Sequence, residues 1–325
     1  MAPKKDSEEA IWSFCEATRR EISKILIGYR EVVDNILTAL LAHGHVLIIG
    51  LPGLGKTLLV RSLAHLWNLE FKRIQFTPDL TPSDITGSEI LQENPGGKTR
   101  SRYFEFVKGP IFANLILADE INRATPRTQS ALLQAMEERE VTVGGKTYNL
   151  PEPFTVMATQ NPLELEGTFP LPEAQLDRFL LSIELTYPER EDEIQIALLG
   201  SGIEKLTTLN QLPGHQQLTN WQKLVDQVAV PDSLLRKIVD TVRNTRPQSG
   251  HRFARYLDYG AGPRATQFLI RAARARSLME GSPVVTEKIA RSIVHAVLAH
   301  RLKPSYLAIS EKLTIREILD EMLEF

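Results

Sequence analysis

Apolar residues along the chain fall into two regimes. Up to about Leu185, short β-rich runs alternate with stretches of helical spacing. Ala10 to Ile25 places Ile11, Phe14, Ile22 and Ile25 on one stripe, and Val32 to Leu41 predicts a second amphipathic helix. Val46-Leu47-Ile48-Ile49 is continuous, apolar and ends in glycine, the pattern of a parallel strand buried on both faces. The helix predicted after it begins near Lys56 and carries Leu58, Leu59, Leu63 and Leu66. Arg73 to Phe76, Leu115 to Ala118 and Phe154 to Ala158 read as further strands. Thr128 to Glu140 reads as a helix with Ala131, Leu132, Ala135 and Met136 on one face. Two hairpins are predicted, one around Asn94-Pro95-Gly96-Gly97 and one from Glu140 to Tyr148 turning at Gly144-Gly145. Strand alternating with helix implies an α/β fold, a parallel sheet with helices on both faces.

From Pro188 onward strand signals nearly vanish. Helices are expected near Glu191–Leu199, Leu218–Val228, Ser233–Thr245, Arg264–Glu280 and Thr286–Ala299. The shift at Tyr187-Pro188 divides the chain into an α/β core with N-terminal helices, 1–187, and an α-helical segment, 188–325. Met1 to Glu8 is expected to be a frayed end.

Composition narrows the classes. The 325 residues are 42% hydrophobic and 24% charged, with a formal net charge of −2, so no global field draws the chain to nucleic acid or anionic lipid. The single Cys15 can form no internal disulfide and suits a reducing compartment. No apolar run approaches the roughly 20 residues of a membrane span, and no apolar stretch follows the N-terminal lysines as in a signal peptide. These features predict a cytoplasmic protein. The seven histidines lack metal-ligand spacing.

The chemistry sits where strands end. Gly50 to Thr57 reads GLPGLGKT, a phosphate-cradling loop between a strand and a helix. Gly50, Pro52, Gly53, Leu54 and Gly55 would bind the nucleotide, the glycines letting backbone N–H groups converge on phosphate oxygens at the positive end of the helix that continues into Leu58. Lys56 would reach the β- and γ-phosphates of ATP, and the Thr57 hydroxyl would hold Mg²⁺. Asp119 and Glu120 end the Leu115 strand at the rim where open α/β sheets bind ligands. Asp119 would support Mg²⁺ and Glu120 would polarise the attacking water. Asn161 ends the third strand, where its amide could meet the γ-phosphate or the water, although an Asn before Pro is also a turn residue. Arg178 could neutralise a transferring phosphoryl group or be an ordinary surface ion pair. Arg264 stands at a predicted helix N-terminus, which the helix dipole disfavours, so another task such as reaching an anion is suggested. Arg271, Arg274 and Arg276 read as a solvated face, Glu137 and Glu138 as surface charges, and Cys15 as a packed side chain.

The blocks GLPGLGKT, RIQFTPDLTPSDITG (from Arg73), GPIFANLILADEINRATPRTQSALLQAMEE and ATQNPLELEGTFPLPEAQLDRF, in that order, resemble the MoxR family of AAA+ ATPases. The likeness runs from about Ile27 to Tyr187 and continues through Gly262-Pro263-Arg264-Ala265. It implies an AAA+ core followed by a small helical lid, and a relationship to magnesium chelatase ATPase subunits. It further implies ATP hydrolysis in a homo-oligomer, a hexameric ring, with Asn161 as sensor 1, Arg178 as an arginine finger acting in trans and Arg264 as sensor 2. Ile27 and Gly28 would contact adenine. The family's expected role is chaperone-like remodelling or activation of a protein client, often with a von Willebrand factor A partner. Gly262 departs from the serine often found before Pro-Arg. An MCM-like helicase uses the same core, but the slightly acidic composition and the single Lys146 at the GGKT tip supply little basic surface for DNA.

Overall fold

The computed structural model describes residues 2–93, 102–163, 167–199, 206–212 and 214–325. Helices α1 (Ala2–Ile22) and α2 (Arg30–Leu41) precede strand β1 (Val46–Gly50), and the P-loop leads into α3 (Lys56–Leu66). Next come β2 (Phe71–Gln75), the short α4 (Pro82–Thr86), and the paired strands β3 (Gly87–Glu93) and β4 (Arg102–Lys108). The turn expected at Asn94–Gly97 lies outside the described residues. β5 (Leu115–Asp119), α5 (Pro126–Glu138), the hairpin β6 (Glu140–Val143) and β7 (Lys146–Asn149), β8 (Thr155–Gln160), α6 (Glu173–Leu176) and β9 (Leu181–Leu185) follow. The remainder is α7 (Arg190–Leu199), α8 (His215–Val225), α9 (Asp232–Asn244), β10 (Leu257–Tyr259), α10 (Pro263–Met279), α11 (Glu287–Leu298), β11 (Lys303–Pro304), α12 (Tyr306–Ser310) and α13 (Ile315–Asp320).

Five strands form one parallel sheet in the order β2-β5-β8-β1-β9. Their side chains alternate between two apolar layers, as a period of two requires. Leu47, Ile116, Ala118, Val156 and Ala158 face Leu132, Leu133 and Met136 of α5. Val46, Ile48, Leu115, Leu117 and Met157 share the other cluster with α2 and α3. That second cluster is continuous with the C-terminal helices. Leu269, Ala272 and Ala273 of α10, Ile293 and Val297 of α11, and Met322 all belong to it.

The bounds of α1 and the place of Arg276 differ from expectation. Helix α1 begins at Ala2, where a frayed end was expected, and stops at Ile22 rather than Ile25. Past Leu185 the strands among the described residues are the short β10 and β11, which pair antiparallel, in keeping with the near loss of strand signals expected there. Arg276 is not on a solvated face. It is buried between α10 and α2, where it donates to Asn35 Oδ1 at 2.8 Å and lies 3.5 Å from Asp34. A run of arginines on one helix does not reveal which member a neighbouring helix covers.

Candidate nucleotide site

The sheet register gathers the predicted residues on one edge. Ile49 pairs with Gln160, so Gly50 and Asn161 leave neighbouring strands side by side. Ala118 pairs with Ala158, so Asp119 lies level with Thr159 one strand further on. All of these strands end at the same rim.

The P-loop has the shape its glycines permit. Gly55 lies at φ 70°, in the left-handed region that a side chain disfavours, and α3 begins at the next residue. Lys56 Nζ donates to the Gly50 carbonyl at 2.6 Å, folding the lysine back over the loop. Tyr29, between α1 and α2, donates its hydroxyl to the Leu54 carbonyl, and burial raises its pKa. Ile27 and Gly28 line a cleft of about 450 Å³ beside this contact. Gly28 is at φ 80°, and a Cβ there would come within 2.6 Å of Asp192 Oδ2 on α7.

Both carboxylates are held. Asp119 is buried; its Oδ1 accepts from Thr159 Oγ1 at 2.6 Å and its Oδ2 from Arg73 Nη2 at 2.6 Å. Glu120 adopts φ 57°, a conformation that costs a non-glycine residue about 1 kcal/mol or more. Its backbone N–H donates to the same Thr159 hydroxyl at 2.8 Å. Its Oε2 accepts from Gln75 Nε2 at 2.8 Å and from Arg123 Nε at 3.1 Å. Asn161 is buried and its Oδ1 accepts from the Leu163 N–H at 3.2 Å.

Sequence reasoning missed Arg73, Gln75, Thr159 and Tyr29. The two-residue spacing of Arg73 and Gln75 marks one face of a strand, but strand order alone puts that face beside Asp119.

Arg178 and Arg264 are not at this rim. Leu181 pairs with Val46 at the start of β1, and Gly50 pairs with Leu185. Arg178 therefore lies beyond the opposite edge of the sheet, separated from the P-loop by four strand residues, about 13 Å, and more. Its Nη1 donates to the Leu133 carbonyl at 2.7 Å and lies 3.0 Å from Glu137 Oε2. Arg264 Nη2 donates to the other oxygen of Glu137 at 2.6 Å. Glu137, expected to be a plain surface charge, thus joins the two arginines.

The oxygen donors fit a magnesium nucleotide. Thr57 and Asp119 would supply one hydroxyl and one carboxylate, a sparse set suited to a hard cation that keeps water and phosphate ligands. Among the described residues no cluster of three His, Cys, Asp or Glu offers a closed metal cage. No helix among them is long and apolar enough to cross a membrane.

Comparison with known proteins places the fold in a family. The profile of the "ATPase family associated with various cellular activities (AAA)" matches residues 45–181, and that of the "AAA lid domain" matches 250–322. The chain is 41% identical over 302 residues to the uncharacterised protein YeaC of Bacillus subtilis, covering 92% of this chain and 91% of the other. It is 39% identical over 307 residues to the chaperone MoxR1 of Mycobacterium tuberculosis, covering 94% and 79%. A crystal structure from Cytophaga hutchinsonii, described as a candidate ATPase, superposes with a TM-score of 0.86 at 35% identity, covering 98% and 95%. ATP binding and hydrolysis follow from these likenesses, and the chain belongs to the MoxR family of AAA+ ATPases.

Proposed function

We propose that the protein is a chaperone-like motor that hydrolyses ATP in a ring of identical copies, six in number, and uses the cycle to remodel or activate a protein client. In this reading Gly50 to Leu58 cradle the phosphates, with Lys56 on the β- and γ-phosphates, and Ile27 and Gly28 border the base. Mg²⁺, held by Thr57 and Asp119, would neutralise phosphate charge. Glu120 takes the proton of the attacking water, and Asn161 orients that water against the γ-phosphate. Arg73 holds Asp119 in this structure, and Gln75 and Arg123 hold Glu120 through Oε2, so these partners orient both carboxylates at the site.

The observation that carries the shared site is the position of Arg178. It stands at the far edge of the sheet from Gly50, so its phosphate-neutralising role is open to it only toward the nucleotide of a neighbour. Arg264, on the same glutamate, would act with it. The likeness to MoxR1 supports a protein client. The hairpins β3–β4 and β6–β7 project apolar and polar side chains to solvent and are the proposed contact points. A von Willebrand factor A protein is the proposed partner class, and the reducing cytoplasm the proposed compartment.

Mixing tests the reading. Arg178→Ala chains retain the P-loop, and Lys56→Ala chains retain the finger. Each alone should be inactive, and co-assembled they should regain part of the ATPase rate. No rescue in rings proven to be mixed would refute the shared site.

A further inference from the structure

Asp177, Phe179 and Leu180, the residues around Arg178, are gripped by one side chain from near the other end of the chain. Arg301 follows α11 and is 4% exposed. Its Nε donates to Asp177 Oδ1 at 2.8 Å, and its Nη2 to the carbonyls of Asp177, at 3.2 Å, and of Phe179. Its Nη1 donates to the Leu180 carbonyl at 3.4 Å and to that of Val297 in α11. The guanidinium lies over the Phe268 ring of α10, 5.1 Å from its centroid. His300 adds a second hold, with Nδ1 3.1 Å from Ser182 Oγ at β9 and Nε2 2.7 Å from Arg301 Nη1. Burial keeps that imidazole neutral, as the adjacent cation demands.

A buried guanidinium is tolerated only when its donors are met, and a planar fork meets several carbonyls at once where an ammonium cannot. Here the carbonyls it meets belong to Asp177, just before Arg178, and to Phe179 and Leu180, just after it, which restrains the backbone from which that side chain leaves. Arg264 approaches the same carboxylate, 3.9 Å from Asp177 Oδ2. Asp177 is thus shared by two arginines, one before α10 has made a turn and one after α11 has ended.

We propose that Arg301 is a positioning residue, which orients Arg178 from the C-terminal helical segment so that the finger of each copy moves with the lid of that same copy. The inference rests on Arg178 acting on a neighbour's ATP. It gives the lid a specific input: the state of the neighbour's nucleotide, felt through Arg178 and passed on by Asp177 and Arg301.

Mixed rings separate this from a general loss of stability. The reference is the rescued rate of Arg178→Ala chains with Lys56→Ala chains, Arg301 intact in both. Arg301→Lys keeps the charge and loses the fork. Placed in the Lys56→Ala chain, which supplies the finger, it should lower the rescued rate at least about tenfold, since misplacement by about 1 Å can cost 100-fold. Placed in the Arg178→Ala chain, which supplies only the P-loop, it should leave the rate within about twofold. An equal loss in both placements, or no loss in the first, overturns the proposal. Absence of rescue in the reference ring overturns the trans reading and this inference with it. Where sedimentation finds Arg301→Lys chains outside the rings, Asp177→Asn takes its place in both chains, with the same asymmetry expected and the same outcomes contradicting it.

Discussion

Glu120 is held in a left-handed backbone conformation by a hydrogen bond from its own N–H to Thr159, and Thr159 also donates to Asp119. One hydroxyl thereby sets two carboxylates. Glu120→Gln keeps the shape and the contact with Gln75 but removes the base. ATP affinity should stay within a few-fold while turnover falls at least about 100-fold, read by single-turnover hydrolysis. Thr159→Val leaves a buried carboxylate oxygen and an N–H without their partner. Urea unfolding should register a loss of about 1–3 kcal/mol, and an unchanged midpoint would mean that the contact holds nothing. His45 responds to pH. Its Nδ1 accepts from the Val156 N–H at 3.0 Å, its Nε2 lies 3.1 Å from the Met136 carbonyl, and burial pushes its pKa down to about 3. His43 is pushed down to about 4, again mainly by burial. Both stay neutral in the folded state while the unfolded chain takes up protons below pH ~6.5, so stability must fall with pH from there, by about 1.4 kcal/mol per unit for each fully uncompensated site. Thermal unfolding followed from pH 7 to 4 should show the decline, and a flat profile would contradict it.

At the scale of elements, the β3–β4 hairpin stands apart from the sheet. Leu91 and Phe104 face each other across it and are 53% and 67% exposed. Apolar side chains that stay in solvent contribute little to folding, so Phe104→Ser should change stability by less than about 0.5 kcal/mol. Its effect should appear in client binding: a Glu120→Gln bait in ATP should recover the client, and the bait carrying Phe104→Ser as well should recover less. Equal recovery would remove the hairpin from the account. Four of the five parallel strands, the P-loop and the carboxylate-bearing strand ends were legible in the sequence because each is a local pattern: a buried run, a glycine spacing, an acid after an apolar stretch. Arg73, Gln75 and Thr159 were not, because their roles depend on which strands lie side by side. The order β2-β5-β8-β1-β9 is not the chain order, and spacing within a strand carries no sign of its neighbour. The roles of Glu137 and Arg301 were not legible for a related reason. Their partners lie across a contact between α5, the Arg178 turn and the C-terminal helices, which no local periodicity encodes.

Across the whole molecule, the proposed mechanism assigns two halves of one reaction to opposite ends of one sheet. The P-loop, Asp119, Glu120 and Asn161 occupy the edge where strands end, while Arg178 and Arg264 occupy the edge where they begin. The apolar cluster running from α2 and β1 into α10 and α11 ties the C-terminal helices to the core. Copies arranged head to tail would bring the second half of each site against the first half of the next, a closed heterologous assembly. A lone chain then holds ATP without its phosphate-neutralising arginines, which in other phosphoryl-transfer enzymes are worth about 10³-fold or more. The most direct measurement is ATPase rate per chain as a function of protein concentration, with the assembly state followed by sedimentation in the same nucleotide. A shared site predicts that the rate per chain rises with the assembled fraction and falls at least tenfold, roughly, on dilution to monomer. A monomer that hydrolyses ATP at the full assembled rate would contradict it.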